Sequence, residues 1–233
     1  MKNDAHAPVC AIIVAAGRGS RMNMDINKQY ADIGGKPVLA RTIQAFEDSG
    51  RVDAIIVVVN EQDILYCKQN IVECYGFGKV RVLVSGGETR QESVSRGLRQ
   101  AGDEGVILIH DGARPFITPE IIDSSISAAE EFGAACVAVP VKDTIKSADG
   151  EDFVTSTLDR SCLWSIQTPQ SFKAYIIKNA HRAAQADGFS GTDDAVLVER
   201  LGHRLKLVMG SYFNIKITTR EDLVLAEAIA EQE

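Results

Sequence analysis

Hydrophobic positions along the chain follow two rhythms that alternate. Residues 9–14, 54–59, 80–84, 106–109 and 135–139 are short, rich in valine, isoleucine or alanine, and nearly free of charge, as strands buried on both faces are. Between them, residues 38–48, 62–74, 91–101 and 120–132 carry apolar positions at helical spacing. Leu39, Ile43 and Phe46 share one face, and so do Ile121, Ile122, Ile126 and Ala129. Thr118 before Pro119 reads as an N-cap followed by proline at the first helical position, and Gly50 and Gly133 stand where C-terminal caps belong. This alternation predicts an α/β, Rossmann-like, mostly parallel sheet with helices on both faces. Ligands of such sheets collect beyond the carboxyl ends of the strands. Segments 15–22, 85–90 and 110–115 are therefore the places to search for a site.

The rhythm breaks at Pro140. Residues 141–164 show no helical period; short alternating pieces, 144–146 and 153–158, flank a turn-like Ala148-Asp149-Gly150-Glu151. An excursion of that length is usually functional. It is expected to be a β-arm leaving the body of a single domain, 1–233, to meet a partner subunit; an ordinary surface hairpin is the alternative. Helical spacing resumes at 172–186 and 192–201, residues 205–209 and 214–218 are expected as added strands, and Thr219-Arg220-Glu221-Asp222 opens a closing helix with a capping-box pattern.

Composition narrows the function. At 233 residues, 45% hydrophobic and 24% charged, the chain is of ordinary globular make-up. It has no apolar run of membrane-spanning length and no apolar core near its start, so a cytoplasmic protein without a membrane role is expected. Its five cysteines are scattered, with no C-x-x-C pair, which favours buried structural thiols over a metal site or a disulfide framework. A formal charge of −7 argues against a nucleic-acid polymer as partner. Any local cluster of cations then stands out.

One such cluster follows the first strand. In Ala15-Ala16-Gly17-Arg18-Gly19-Ser20-Arg21-Met22 the glycines let main chain approach a polyphosphate and turn N–H groups toward it. Met22 stands where a dinucleotide fingerprint needs its third glycine, and no Gly-Lys-Ser/Thr follows as a Walker loop requires. Arg18, Arg21 and Lys28 instead concentrate positive charge, as a triphosphate attacked at its α-phosphorus demands, because charge grows there on the equatorial oxygens and the departing pyrophosphate. A solvated basic turn is the bland alternative.

Taken with Lys28-Gln29-Tyr30, Gly86-Gly87-Glu88-Thr89-Arg90, His110-Asp111-Gly112-Ala113-Arg114-Pro115, Thr168-Pro169-Gln170 and Asn214-Ile215-Lys216, that loop resembles the 2-C-methyl-D-erythritol 4-phosphate cytidylyltransferases of the non-mevalonate isoprenoid pathway. The likeness runs in order from Val9 to the closing helix; Asn27 departs from it, standing where the family often has proline. It implies transfer of CMP from CTP to methylerythritol phosphate with release of pyrophosphate, and Mg²⁺ bridging the triphosphate oxygens. It implies, further, that Arg21 and Lys28 stabilise the transition state, and that Ala15, Ala16, Gly17, Gly19, Gly87, Glu88 and Ser93 bind the nucleotide. Asp111, Arg114, Thr144 and Thr168 would bind the acceptor, Asp111 being also a possible metal contact. Lys216 would hold the acceptor phosphate, and Arg160, on the arm, would clamp it across a homodimer interface. Apart from the resemblance, Asp111 is a common strand-ending residue, Lys216 one surface lysine among many and Arg160 a rim ion-pair residue. His110 reads as a hydrogen-bonded structural residue. The rival readings are a cytidylyltransferase for ribitol 5-phosphate or another sugar-alcohol phosphate, a nicotinamide-dependent oxidoreductase, and a nucleotide sensor without chemistry.

Overall fold

The computed structural model describes residues 7–17 and 28–232, the side chain of Lys28 excepted. Its elements are β1 (Val9–Ala15), β2 (Asp32–Ile33), β3 (Lys36–Pro37), α1 (Val38–Asp48), β4 (Ala54–Val59), α2 (Ile64–Cys67), β5 (Val80–Ser85), α3 (Arg90–Leu98), β6 (Val106–Asp111), α4 (Pro119–Phe132), β7 (Ala134–Pro140), β8 (Lys146–Ala148), β9 (Val154–Thr157), β10 (Trp164–Lys173), α5 (Ala174–Ala186), α6 (Asp194–Arg200), β11 (Lys206–Met209) and α7 (Arg220–Ala230). Seven strands form one sheet in the order β11-β7-β10-β6-β1-β4-β5. All neighbours run parallel except β10, which is antiparallel to β6 and to β7.

Alternate residues of the buried strands feed two cores. Ala11 and Ile13 of β1 face Leu39, Ile43 and Phe46 of α1 and, with Leu108, the α4 residues Ile122 and Ile126. Ile12 and Ile109 face Val94 of α3 and Ile177 of α5 on the opposite side. Burying both faces is why these strands are almost purely apolar. A third cluster packs α7 through Ala226 and Ile229 against Ile33, Val38 and Ile217.

Several elements depart from the sequence reading. The expected helix at 172–186 begins only at Ala174, because Trp164–Lys173 is a ten-residue strand. Seven polar or proline positions in Trp164–Lys173 hide its strand character, yet Gln167, Thr168, Gln170 and Ser171 are all buried. Residues 214–218 form no strand; side-chain and main-chain bonds hold them instead. The helix expected over 62–74 starts as a 3-10 turn, Glu61–Asp63, and continues from α2 into a π-helical stretch, Lys68–Glu73. That wider winding changes the phase of the face: Cys67 is buried and Cys74 exposed, although regular helical spacing would put both on one side. Cys162 is exposed too, so burial does not account for all five thiols. Helix α3 stops at Leu98 rather than near residue 101, and α1 ends on Ser49 in extended conformation, with no positive φ at Gly50. Gly133 does close α4 with φ 90, and Thr219 and Asp222 make the capping box of α7.

Segment 141–163 contains the antiparallel pair β8–β9. Asp149 accepts hydrogen bonds from the N–H groups of Glu151 and Phe153, and Asp152 takes the left-handed conformation that closes the turn. On an otherwise polar surface, this segment exposes three large apolar side chains, Phe153, Val154 and Leu158.

Candidate active site

The chain reverses its winding direction at β1. Strands β4 and β5 add on one side of it and β6 on the other, which opens a crevice at the carboxyl end of the sheet. A cavity of about 890 Å³ lies there. Its walls are Ala15, Ala16 and Gly17 after β1, Gly86, Gly87, Glu88 and Thr89 after β5, and Asp111 and Ala113 at the end of β6, with Lys216 entering from the segment before α7.

Local bonding explains how each wall is held. Thr89 caps α3 by accepting from Glu92 N–H, and the Glu92 carboxylate accepts in turn from Glu88 N–H. Ser93, buried at the base of the wall, donates to Thr89 O and accepts from Gly87 N–H. Arg96 donates to the carbonyls of Ser85 and Gly86, fixing the exit from β5. Gly86 lies against Ala16, where an added Cβ would fall inside the alanine methyl and 3.0 Å from Ser93 Oγ. Gly112 makes a similar approach to Ala15.

Asp111 is the electrostatic centre. Its Oδ1 pairs with Arg90 Nε at 3.1 Å and its Oδ2 with Lys216 Nζ at 2.7 Å, while Arg114 Nε stands 3.8 Å away. Burial alone would raise this carboxyl's pKa, but Arg90, Lys216 and Arg114 together hold it far below the usual carboxylate range. Arg90 is pushed upward by Asp194 and Asp111 in spite of its own burial, whereas burial lowers Arg114, whose contact with Asp111 is longer. Lys216 is delivered by backbone ties: Ile217 N–H donates to Ala113 O, and Arg114 donates to Asn214 O at 2.7 Å.

Behind Asp111 sits an uncharged layer. Thr168 is buried, and its hydroxyl accepts from Asp111 N–H at 3.1 Å and meets His110 Nδ1 at 3.0 Å. His110 Nε2 lies 3.2 Å from the carbonyl of Arg114. His110 is thus a hydrogen-bonded structural residue, as its position at the end of a buried strand suggests, and its burial pulls its pKa down to about 4.

Of the residues that the sequence singles out, Ala15, Ala16, Gly17, Gly87, Glu88, Ser93, Asp111 and Lys216 line this one cavity. Arg114 reaches it through Asp111, and Thr168 lies beneath it. Thr144 and Arg160 are exposed on the 141–163 excursion and do not line the cavity of their own chain; Arg160 donates to Lys142 O at 2.8 Å. Arg18, Gly19 and Arg21 lie outside the described residues, as does the side chain of Lys28. Several lining residues, Arg96 among them, escape the sequence reading. Asn60 and Glu61 follow β4, whose end carries neither glycine nor basic charge, and Gln29 stands within a quoted motif but received no role. Arg90 stands within a quoted motif without a role of its own, and for its partner Asp194 the sequence offers a part in orienting substrate only as secondary to a helix start. The doubled carboxylate of Asp193-Asp194 was the available signal, yet it reads as a helix start, a role that Asp193 does fill by accepting from Val196 N–H.

A Mg²⁺ site built from protein ligands does not fit the described residues. No group of three His, Cys, Asp or Glu side chains converges among them, and both oxygens of Asp111 already face cations.

The model of the 2-C-methyl-D-erythritol 4-phosphate cytidylyltransferase family matches residues 9–232. Among curated relatives, the protein of that name from Geobacter metallireducens is 50% identical over 228 residues, covering 96% of this chain and 98% of its own. Its counterpart from Caldanaerobacter subterraneus is 52% identical over 220 residues, covering 94% and 97%. Among solved structures, the 4-diphosphocytidyl-2C-methyl-D-erythritol synthase of Anaerococcus prevotii superposes with a TM-score of 0.86 at 36% identity, covering 96% of each chain. The 2-C-methyl-D-erythritol 4-phosphate cytidylyltransferase of Thermus thermophilus gives 0.78 at 32% identity, covering 96% of this chain and 99% of that one.

Proposed function

Since the chain belongs to the 2-C-methyl-D-erythritol 4-phosphate cytidylyltransferase family, we propose that it transfers CMP from CTP to 2-C-methyl-D-erythritol 4-phosphate. The products are 4-diphosphocytidyl-2-C-methyl-D-erythritol and pyrophosphate. The observation that carries this reading is the shared cavity. Two glycine-bearing main-chain walls suited to a nucleotide meet, at its floor, a carboxylate and an ammonium suited to a phosphorylated polyol.

An oxygen of the acceptor phosphate attacks the α-phosphorus of CTP, and the bond to the pyrophosphate oxygen breaks as the new P–O bond forms. The acceptor phosphate is largely dianionic near neutrality, so no general base is required; His110, buried and neutral, is not placed to be one. Main chain at Ala15–Gly17 and Gly86–Glu88 receives the cytidine, its glycines allowing close approach. Arg21 and Lys28 neutralise the charge that grows on the triphosphate. Lys216 takes the acceptor phosphate. Asp111 accepts from acceptor hydroxyls with the lone pairs that Arg90 and Lys216 leave free. A divalent cation such as Mg²⁺ would be carried by CTP rather than by protein side chains and would supply charge shielding for the phosphates.

A homodimer formed through 141–163 completes the reading. The exposed Phe153, Val154 and Leu158 support it, and pairing would bring Thr144 and Arg160 to the acceptor site of a second copy. No helix among the described residues is long and apolar enough to cross a membrane, and we place the enzyme in the cytoplasm.

The test is pyrophosphate release from CTP, Mg²⁺ and methylerythritol phosphate, with ribitol 5-phosphate in parallel and an Arg21→Ala variant alongside. Turnover with methylerythritol phosphate that Arg21→Ala loses is the expected result. Turnover with ribitol phosphate alone would overturn the acceptor, and silence from folded protein would overturn the chemistry.

A further inference from the structure

A chain of ion pairs, ended by a histidine hydrogen bond, runs from the cavity floor at the end of β6 to helices α3, α6 and α5. Lys216 Nζ pairs with Asp111 Oδ2 at 2.7 Å, and Asp111 Oδ1 with Arg90 Nε at 3.1 Å. Arg90 Nη1 pairs with Asp194 Oδ2 at 2.6 Å, and Asp194 Oδ1 meets His181 Nε2 at 2.9 Å. Asp194 is 1% exposed and His181 5%. Neither lines the main cavity; His181 borders a separate groove between α3 and α5.

Burying charges in this way is costly, and apolar side chains would fill the same space at least as stably. An ion chain of this length is better explained by what it orients. Arg90 spans two carboxylates with two different nitrogens of one rigid, planar guanidinium. Fixing Asp194 therefore fixes the angle at which Arg90 meets Asp111. Asp194 is itself fixed three ways: by His181, by Arg90, and by its own N–H donating to Gln170 Oε1 at 3.2 Å. With Oδ1 taken by Arg90, Oδ2 is left to Lys216, and the lysine is aimed at the cavity.

We propose that Asp194 and His181 are positioning residues, acting through Arg90 to set the orientation of Asp111 and Lys216 toward the acceptor. This rests on the assignment of Asp111 and Lys216 to the acceptor side. Burial would push the Asp194 carboxyl upward, but Arg90 and the His181 hydrogen bond hold it down, in keeping with a permanent anion behind Arg90.

Asp194→Asn keeps the shape and removes the charge that anchors Arg90. It is expected to raise KM for the acceptor about tenfold while KM for CTP stays within about twofold, the size of one weakened charge-assisted hydrogen bond. His181→Asn, at the remote end, should move the same parameter in the same direction by a smaller factor. In a Lys216→Ala background, Asp194→Asn should add less than about twofold, because coupled residues are not additive.

A purely structural role would lower thermal stability and active fraction and leave both KM values unchanged. That outcome, or an additive effect in the Lys216→Ala background, overturns the proposal; if Asp194→Asn does not fold, His181→Asn decides by the same criteria. The native protein in the same assay separates two kinds of failure. Its silence would sink the functional reading and this proposal with it, whereas native turnover beside unchanged variants would sink this proposal alone.

Discussion

His110 makes stability depend on pH in a window where few other groups titrate. The ring is fully buried at the end of β6, and its hydrogen bonds select one neutral form. Nε2–H donates to Arg114 O, the Thr168 hydroxyl donates to Nδ1, and the Thr168 oxygen accepts from Asp111 N–H. A proton on Nδ1 would displace the hydroxyl hydrogen and place charge in a dry site beside Arg114 and Arg90. Burial is the largest cause of the fall to about 4 from the ordinary imidazole value of 6.5. Between those values the unfolded chain holds the proton and the folded chain does not, so stability falls as pH falls. The full difference corresponds to about 3 kcal/mol, of which about 2 kcal/mol is lost between pH 7.5 and pH 5. His110→Gln retains a donor for Arg114 O and removes the titration. Chemical-denaturant unfolding of both proteins across that range should show the native protein losing about 2 kcal/mol more than the variant. Parallel curves would refute the neutral-histidine assignment and, with it, the bonding pattern that locks Asp111 N–H to Thr168.

Other perturbations probe the walls of the cavity and the excursion. Gly86→Ala sets a methyl inside that of Ala16. Restoring ordinary carbon contact at roughly 3.5–4.0 Å must part the loops that follow β1 and β5, so a loss of about 1–3 kcal/mol in stability and a raised KM for CTP are expected; normal values in melting and kinetic assays would mean that the walls are not packed as described. Lys216→Ala leaves Asp111 with Arg90 at 3.1 Å and the more distant Arg114; turnover should fall by about a hundredfold or more with melting little changed, since the lysine is partly exposed. Phe153→Asp replaces one of the three large apolar side chains that the β8–β9 segment exposes with a charge. The proposed dimer predicts that sedimentation reports dimers for the native chain and monomers for the variant, and an unaltered assembly state would show that the hairpin is not the contact.

The parallel half of the sheet was legible because its physics is local. Strands buried on both faces must be apolar, and β1, β4, β7 and β6 up to Ile109 are, whereas β5, at the sheet edge, carries the exposed Arg81. Gly86, after β5, has a comparable local reason, since a side chain there would run into Ala16 and Ser93, whereas Gly17, after β1, has open space around it. What was missed depends on long-range pairing. Gln170 illustrates it: its side chain donates to Asp193 and accepts from the N–H groups of Asp194 and Ala195, so a polar residue lies in the middle of the sheet at almost no exposure. No periodicity records that partnership, and without it 164–173 does not look like a strand. The π-helical turn at Lys68–Glu73 escaped for a related reason, because winding is set by packing that spacing alone does not encode.

The same strand that sequence patterning concealed organises the site. Strand β10 enters antiparallel between β6 and β7, so residues near its start lie beside the carboxyl end of β6. Thr168 thereby reaches His110 and Asp111 N–H. The Thr168 carbonyl takes Asn214 Nδ2 at 3.0 Å, and Asn214 O takes Arg114. Farther along β10, Gln170 holds the N-terminus of α6 and with it Asp194. One strand thus sets both supports of Asp111, the neutral layer beneath it and the anion behind Arg90. A parallel strand in that place would present its opposite end, and the Thr168 and Gln170 contacts would be lost together. The polar content that disguises β10 is therefore a requirement of its position, because the elements that converge on Asp111 are tied to one another through its side chains and carbonyls.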